Sequence, residues 1–347
     1  MAHFIINKEI ALAKYKEVEE LADTVSYSSK TNPVITPMLE DNTSCLFSIH
    51  LENELVNVKD KSRTIFLAQG WTKEQIELLV DQGITRFTVD NLVDLQIFED
   101  YIEENHKELT LFLRMKLKEN TIRTEKHFVF GISSQVINEK IKYLHETYKF
   151  LKLGVHFHRK TQNMSEWNLT YEISEHLSDE TLACLSFVNM GGGLPSEYAN
   201  TNAKVMEGII RRINEFKQFV NNKNIKLIIE PGRFIAAPSG KLITKIIRIY
   251  DNNIIVDASV YNSDMDALIV PVKLKVEGEH TKDETKTNPL IKPYVIKGST
   301  PCSLDLFRYR VYLKEPKEGT ELVFLNAGAY NFSTEFCNLE KIKEDIK

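Results

Sequence analysis

The stretch Ile228-Ile229-Glu230-Pro231-Gly232-Arg233 joins a short β-branched run to a Pro-Gly turn, with a carboxylate at the junction. Such a run, bounded by Pro and Gly, is typical of a buried strand that ends in a turn. Far upstream, Ser28-Ser29-Lys30-Thr31-Asn32-Pro33 places a lysine after another short apolar run. The two segments predict polar groups at the ends of two strands.

Outward from these segments, the first 230 residues alternate short β-rich segments with longer stretches whose apolar residues recur at three- and four-residue spacing. Candidate strands lie at 25–27, 45–49, 64–67, 86–89, 111–116, 151–157, 185–189 and 226–229. Helices are predicted at 72–82, 92–106, 134–148 and 204–221. Eight β/α units predict an α/β fold with an eight-stranded parallel (β/α) barrel. An open doubly wound sheet would give the same alternation.

The positions of polar residues favour the barrel. Lys30 follows the first candidate strand, His158 ends the sixth, Gly191-Gly192-Gly193 ends the seventh and Glu230 ends the eighth. Catalytic groups of parallel barrels gather at the carboxyl ends of the strands. A chance scatter would not follow this rule so consistently.

After about residue 242 the pattern changes to β-branched and alternating residues, which predict a second, C-terminal β domain. Its candidate strands are 242–249, 254–256, 268–276, 294–296, 311–313 and 321–325. We expect residues 1–20 to join this domain through a strand at 4–7, residues 21–240 to form the barrel, and residues 241–347 to form the β domain. The polar segment 278–289 is expected to be a surface loop or a disordered excursion.

Composition excludes several classes of protein. The 347 residues include 49 acidic and 44 basic side chains, for a net charge of −5, and the basic residues form no stripe for a polyanion. No apolar run approaches a membrane span, and the first residues lack a signal peptide, so we expect a cytoplasmic protein. The four cysteines are widely spaced without a C-x-x-C pair, which predicts free thiols and no metal site.

Together with His158, the triple glycine and Tyr330 in the same order, the Lys30 and Glu230 segments resemble the pyridoxal-phosphate decarboxylases of the alanine-racemase fold. That family includes ornithine, diaminopimelate and carboxynorspermidine decarboxylases. The resemblance runs from about Lys30 to Phe336. It implies pyridoxal 5'-phosphate as cofactor, a small amino acid as substrate, and a homodimer with shared active sites to which the β domain contributes.

The resemblance assigns roles to three barrel residues. Lys30 would hold the cofactor as a Schiff base, and Glu230 would keep the ring nitrogen protonated so that the ring accepts carbanion charge. His158 would stack on the ring. Because His156 has the same strand parity, a core role for a histidine on this strand stays open.

The resemblance also implies a phosphate site. Gly191, Gly192 and Gly193 would bring backbone N–H groups to the phosphate, although three glycines can also form only a flexible turn. The complete cofactor-binding set implied by the resemblance is Lys30, Arg114, His158, Thr161, Gly191, Gly192, Gly193, Glu230, Gly232, Arg233 and Tyr330.

The substrate-side residues depart from the family pattern. In the segment from Gly298 to Asp305, Pro301 stands at the usual cysteine position and Cys302 at the acidic one. Cys302 would protonate the product in the partner subunit's site, or it is an inert thiol. Asp305 and Asp257 match substrate-reading acids, although Asp257 could instead cap a turn.

Ser48 stands where ornithine decarboxylases have an aspartate, so the substrate is not expected to be simply ornithine or diaminopimelate. These residues predict a decarboxylase of a diamino acid or a related α-amino acid, with Lys30, Glu230, His158 and Cys302 as catalytic residues. Two alternatives remain. A racemase of this fold would place an arginine at the ring nitrogen, and a catalytically inactive binding homologue would explain Ser48 and Pro301.

Overall fold

The computed structural model of the chain describes residues 1–117, 130–201 and 203–347. These residues divide into two compact units. The barrel unit comprises Tyr15–Pro195 and Lys204–Gly232, and the sheet unit comprises Met1–Lys14, Ser196–Ala203 and Arg233–Lys347.

The strands in chain order are β1 His3–Ile6, β2 Thr24–Ser28, β3 Leu46–Ile49, β4 Thr64–Leu67, β5 Arg86–Val89, β6 Thr110–Arg114, β7 Lys152–His156, β8 Phe187–Asn189, β9 Lys226–Ile229, β10 Gly240–Tyr250, β11 Asn253–Val256, β12 Lys275–Val276, β13 Ile291–Lys297, β14 Leu306–Lys314, β15 Glu321–Leu325 and β16 Lys343–Ile346. The α-helices are α1 Lys8–Glu19, α2 Ile35–Asn42, α3 Lys73–Asp81, α4 Leu92–Asn105, α5 Ser134–Thr147, α6 Leu169–His176, α7 Asp179–Ala183, α8 Met206–Asn221, α9 Arg233–Ser239, α10 Val260–Ser263 and α11 Asp266–Ile269.

Strands β2 to β9 form a closed parallel barrel among the described residues. The first and last strands pair directly, with Thr24 opposite Ile228 and Val25 opposite Ile229. The barrel prediction is therefore confirmed, and the open doubly wound sheet is excluded because it would leave these two strands as edges.

Apolar side chains fill the barrel interior. Ile65 of β4, Phe112 of β6 and Ile228 of β9 are almost fully buried and pack together. A Cβ atom on Gly154 of β7 would lie 2.5 Å from the Phe112 ring, so only glycine leaves room for this phenylalanine. Such layers of side chains make the barrel a packed core with its polar groups at the strand ends.

The outer helices follow the predicted 3.6-residue period. In α8 the buried residues are Ile209, Ile213, Phe216 and Val220. Thr72 precedes helix α3, and its hydroxyl accepts the N–H of Gln75; Asn91 precedes α4, and its amide oxygen accepts the N–H of Asp94. These side-chain caps satisfy N–H groups that the first helical turn leaves without partners.

The sheet unit contains a sheet in the order β12-β15-β10-β11-β13-β14. Strand β1 lies beside β10, and β16 lies beside β1. Strand β1 pairs antiparallel with β10, and β16 pairs parallel with β1. The strand expected at 4–7 thus exists at His3–Ile6.

One predicted strand is wrong. The segment 268–276 contains the end of helix α11 and pairs only at Lys275–Val276. The N–H groups of Leu268 and Ile269 bind the carbonyl of Met265, which gives this apolar run a helical turn before Pro271. Its apolar alternation reflects burial of Val272 and Leu274 outside a ladder.

The 278–289 segment is a surface loop. It contains a single 3-10 turn at Asp283–Lys286, and Glu284 accepts hydrogen bonds from the backbone N–H and hydroxyl of Thr281. In the described part of the chain, no helix has the length and apolar character of a membrane span.

Candidate active site

Polar side chains gather at the carboxyl ends of the barrel strands. They are Lys30 after β2, His50 after β3, Asp90 after β5, Arg114 at the end of β6, His156 and His158 at the end of β7, Asn189 at the end of β8, and Glu230 after β9. Parallel strands of a barrel present these ends on one face. The barrel therefore brings Lys30, Arg114, His158 and Glu230 to a common mouth.

Glu230 is held by side chains from three strands. The Ser48 hydroxyl and the Asn189 amide donate to Oε1 at 2.8 and 2.9 Å, and His156 Nε2 lies 3.2 Å from Oε2. Because an ionised carboxylate only accepts hydrogen bonds, this arrangement assigns the proton of His156 to Nε2. The carboxylate is fixed in position and is 8% exposed.

The electrostatics keep Glu230 ionised. Burial by itself raises the pKa of this carboxyl, but the charge and hydrogen bond of His156 and the hydrogen bonds from Asn189 and Ser48 outweigh it. The net effect holds the pKa of Glu230 well below its usual range.

Ser48 extends this arrangement into the barrel wall. Its hydroxyl lies 2.8 Å from the hydroxyl of Ser26 on β2, so Ser26, Ser48 and Glu230 form a chain of hydrogen bonds. The serine that departs from the ornithine decarboxylase pattern is thus a donor to the buried carboxylate.

Lys30 lies in a 3-10 turn, Ser29–Thr31, directly after β2. Its Nζ is 3.2 Å from Nε2 of His50. Although the residue as a whole is exposed, partial loss of hydration lowers the pKa of Lys30, and the nearby carboxylates Glu230 and Glu54 oppose this effect only in part. A lowered pKa increases the fraction of Lys30 that carries a neutral, nucleophilic amine at a given pH.

His158 is fixed from the glycine segment. The N–H of Gly192 donates to Nδ1 of His158 at 3.2 Å, which assigns the proton of the neutral ring to Nε2. Burial, followed by the charges of His156 and Arg114, lowers the pKa of His158 to about 4. The ring is therefore neutral near pH 7, as a ring that stacks on a cofactor face should be.

The triple glycine permits close packing of three chain segments. Cβ atoms on Gly191, Gly192 and Gly193 would each lie 2.5 Å from a backbone carbonyl oxygen, those of Phe157, Glu230 and Lys160 respectively. Gly191 and Gly193 also have positive φ angles of 66° and 99°. A merely flexible turn would not require such contacts.

Two of the glycine N–H groups bind neighbouring side chains. The N–H of Gly191 donates to Oδ1 of Asn189, and that of Gly192 donates to His158. These two amides hold Asn189, which binds Glu230, and His158, and the phosphate contact expected of the glycines stays a prediction.

Gly232 packs closely against Thr31 in the turn that contains Lys30. A Cβ atom on Gly232 would lie 2.1 Å from Oγ1 of Thr31, and this buried hydroxyl has no hydrogen-bond partner among the described residues. An ionised carboxylate, a lysine with a lowered pKa, a neutral histidine and an orphaned hydroxyl beside glycines suit the ring and polar groups of pyridoxal phosphate. The barrel residues therefore fit the expected cofactor.

Arg114 forms an ion pair at the same mouth. Its Nη1 lies 3.2 Å from Oδ1 of Asp90, whose other oxygen accepts a hydrogen bond from Gln69. The guanidinium also lies over the Phe130 ring at 4.8 Å. Thr161 lies in a turn after β7 and is half-buried.

The sheet unit holds Arg233 and Tyr330 together. The Arg233 guanidinium lies 4.9 Å from the centre of the Tyr330 ring, donates to the Tyr198 hydroxyl at 3.1 Å and forms a two-pronged ion pair with Asp266. Burial lowers the pKa of Arg233, but Asp266 and Tyr198 outweigh it and raise the pKa above its usual value. Asp266 thus orients the predicted phosphate-binding arginine.

Cys302 is paired with a tyrosine. The Tyr261 hydroxyl lies 3.0 Å from Sγ of Cys302, and this hydrogen bond lowers the pKa of the thiol. The Tyr261 ring stacks on Phe336 with centroids 4.2 Å apart. This environment distinguishes Cys302 from a thiol buried in apolar surroundings.

Asp305 differs from its expected role. Its carboxylate is 2% exposed and accepts hydrogen bonds from the N–H of Val260 and from the N–H and hydroxyl of Thr300. A Cβ on Gly298 would collide with this carboxylate, so the loop is built around it. These contacts show that Asp305 holds the loop together, and the substrate contact expected of it stays a prediction.

Asp257 is partly exposed and has a structural contact. Its Oδ1 accepts the N–H of Lys245 at 2.7 Å, so the carboxylate after β11 binds the middle of the neighbouring strand β10. Its Oδ2 lies 3.7 Å from the N-terminal amine, and the substrate contact expected of Asp257 stays a prediction.

Several functional candidates were not predicted. They are His50, Glu54, Asn189, Asp266 and Tyr261. His50 and Asn189 could have been found from the sequence, because each directly follows or ends a predicted strand, which is the rule that identified Lys30 and Glu230.

The family comparison identifies the barrel. Residues 13–237 match the model of the pyridoxal binding domain of pyridoxal-dependent decarboxylases. Among curated proteins, the chain is 24% identical over 322 residues to 2-[(L-alanin-3-ylcarbamoyl)methyl]-2-hydroxybutanedioate decarboxylase of Staphylococcus aureus, covering 83% of this chain and 79% of that protein. It is 21% identical over 350 residues to diaminopimelate decarboxylase of Bacteroides thetaiotaomicron, covering 94% and 86%.

Solved structures have the same fold. Lysine/ornithine decarboxylase from Vibrio vulnificus, complexed with cadaverine, superposes with a TM-score of 0.81 at 18% identity, covering 100% of this chain and 94% of that chain. Diaminopimelate decarboxylase from Helicobacter pylori, complexed with L-lysine, gives 0.81 at 19% identity, covering 100% and 91%. Since the family model covers well over half of the sequence, this chain belongs to the pyridoxal-phosphate-dependent decarboxylases.

Proposed function

We propose that the chain decarboxylates a diamino acid or a related α-amino acid, with Lys30 as the attachment point of the cofactor and Glu230 as the partner of its ring nitrogen. The observation that carries this proposal is the buried, ionised Glu230, which three strands fix at the barrel mouth together with Lys30. When bound, pyridoxal phosphate accepts the electron pair that the departing carboxylate leaves at the α-carbon.

The protein's residues prepare this chemistry. Glu230 holds a proton on the ring nitrogen, because its low pKa keeps it an acceptor in a charge-assisted hydrogen bond. His156, Asn189 and Ser48 keep that carboxylate in place before substrate arrives, so no reorganisation is needed during the reaction.

Glu230 also supports decarboxylation over racemisation. A racemase of this fold is expected to present an arginine to the ring nitrogen, which leaves the ring a poorer acceptor of charge. The three donors around Glu230 suit a carboxylate and would be left facing a cation if arginine replaced it.

The proposed substrate carries a second polar group. The names of the relatives support this class, because they act on diaminopimelate, on lysine or ornithine, or on an amino acid conjugated to a hydroxy acid. Ser48 binds Glu230, so the position that departs from the ornithine decarboxylase pattern lies beside the proposed partner of the ring nitrogen.

We propose that Cys302 protonates the product in a homodimer with shared active sites. The hydrogen bond from Tyr261 and the lowered pKa of the thiol support a group that exchanges protons. Mixing inactive Lys30→Ala and Cys302→Ala proteins should restore up to about a quarter of wild-type activity, because one mixed site then carries both residues. Mixtures that stay inactive would contradict sharing.

Release of carbon dioxide tests the function. The panel comprises carboxyl-labelled ornithine, lysine, diaminopimelate and the citrate-like conjugate named for the Staphylococcus relative. We expect labelled carbon dioxide from at least one of these, and none with Lys30→Ala. Inversion of the α-carbon without carbon dioxide would indicate a racemase, and binding without either reaction would indicate an inactive homologue.

A further inference from the structure

His50 occupies the first position after β3 and contacts Lys30, which follows the neighbouring strand β2. Its Nε2 lies 3.2 Å from Nζ of Lys30. Its Nδ1 is buried without a hydrogen-bond partner among the described residues, and the nearest carboxylate oxygen, Oε1 of Glu54, lies 3.9 Å away. The proposed reaction gives this histidine no role so far.

Glu54 fixes the backbone at His50. Its Oε1 accepts the backbone N–H groups of His50 and Leu51 at 3.1 and 3.0 Å, which closes the start of the 3-10 helix Glu52–Asn57. The same oxygen is the one that faces Nδ1 of His50. Glu54 therefore anchors the backbone turn from which the His50 ring reaches Lys30.

A neutral imidazole can form a hydrogen bond with a lysine side chain in either charge state. With the proton on Nδ1, the lone pair of Nε2 accepts a hydrogen bond from a lysine ammonium; with the proton on Nε2, the ring donates to a neutral amine. Burial, followed by the charge of Lys30, lowers the pKa of His50 to about 3, so the ring stays neutral in both arrangements.

We propose that His50, on a backbone turn held by Glu54, is a positioning residue that holds Nζ of Lys30 in place for attachment and release of the cofactor. The inference rests on the proposed function in that Lys30 is the attachment point. It assigns a role to a residue that touches the lysine from a neighbouring strand.

The charged groups around Lys30 determine how loss of His50 changes its titration. Among the described residues, Glu230 and Glu54 raise the pKa of Lys30 and Arg114 lowers it, while His50 and His158 nearby are neutral rings. An ammonium that loses a hydrogen-bond acceptor loses stabilisation, so removal of the His50 ring should lower the pKa of Lys30 further.

The test uses cofactor-free protein and pyridoxal phosphate without amino acid. The rate of covalent attachment is followed by visible absorbance across the pH range, and borohydride reduction with peptide mass spectrometry locates the attachment. The variants are His50→Phe, which keeps the ring volume, His50→Gln, whose amide oxygen reaches the position of Nε2, and His50→Asn, which reaches only the position of Nδ1. His145→Phe, on the exposed face of α5, is the matched control.

We expect His50→Phe and His50→Asn to attach the cofactor roughly tenfold more slowly at high pH, where the amine is neutral. The midpoint of their pH profiles should fall by about one pH unit. His50→Gln should stay within about threefold of wild type, because it keeps an acceptor at the position of Nε2. His145→Phe should match wild type.

A purely structural role would slow all three variants without moving the midpoint. If His50→Asn matches His50→Gln and wild type in both rate and midpoint, the positioning role is wrong even if His50→Phe fails to fold. Attachment of the cofactor away from Lys30 in the wild type would overturn the proposed function together with this inference, whereas normal attachment with unaffected variants overturns the inference alone.

Discussion

At the scale of single residues, the low pKa of Glu230 has a consequence for stability. Its folded pKa lies below the ordinary value of 4.5, so the ionised carboxylate contributes stability above that pH. The contribution is lost as the pH falls below 4.5 toward the folded pKa, because the unfolded chain takes up the proton first.

Glu230→Gln should therefore destabilise the fold at neutral pH by about 1–3 kcal/mol, since it removes the charge that three donors face. Urea unfolding at neutral and acid pH should show the wild-type and variant free energies converging as the pH falls. Glu139→Gln, at an exposed position of α5, should show no convergence. A constant gap between wild type and Glu230→Gln would contradict the ionised state assigned to Glu230.

Sequence alone identified candidate site residues that directly follow a predicted strand. Lys30 and Glu230 each follow a short apolar run, and both lie at the predicted barrel face. Side-chain contacts between residues of different strands could not be predicted. The contacts of Ser48 and Asn189 with Glu230, and of His50 with Lys30, depend on strand register that no local pattern specifies.

At the scale of elements, the turn after β8 depends on glycine for its contacts. A Cβ on Gly192 would lie 2.5 Å from the carbonyl oxygen of Glu230, whereas one on Gly208 in α8 would meet nothing within 4 Å. Gly192→Ala should lower the free energy of unfolding by roughly 1–3 kcal/mol, because the chain at Glu230, directly after β9, must move to make room for the methyl group.

Gly208→Ala is the matched control and should raise stability by up to about 1 kcal/mol, because alanine favours the helix. Thermal unfolding and cofactor retention measure both variants. Unchanged stability and cofactor binding in Gly192→Ala would show that this turn tolerates displacement and does not set the geometry around His158.

The loop that carries Cys302 is built on Asp305. Asp305→Ala removes the acceptor of the Val260 N–H and of both Thr300 donors, so we expect a loss of about 1–3 kcal/mol in the free energy of unfolding. Asp283→Ala, in the exposed 3-10 turn, is the control. Normal stability with a raised KM for the amino acid would restore the substrate-reading role first expected of Asp305.

Element prediction succeeded where one period dominates. The barrel strands and α8 have clear two-residue or 3.6-residue patterns and a buried face, and their predicted positions agree with the structure within a few residues. The 268–276 segment misled because its apolar residues pack as loop and helical turn, and Pro271 interrupts any continuous ladder.

At the scale of the whole molecule, the fold and cofactor class could be derived from the sequence, because the order of motifs along the chain matches the order of barrel strands. The substrate could not. The residues expected to read a distal group come from segments that depart from the family pattern, where Cys302 stands one position from the usual cysteine and Asp305 is enclosed by its own loop.

The central claim is that pyridoxal phosphate attaches to Lys30 at the mouth of the barrel. Peptide mass spectrometry after addition of pyridoxal phosphate and borohydride reduction tests it most directly. We predict a reduced cofactor adduct on the peptide that contains Lys30, and its loss in Lys30→Ala. An adduct confined to another lysine, or no adduct while Lys30→Ala and wild type bind the cofactor equally, would contradict the claim.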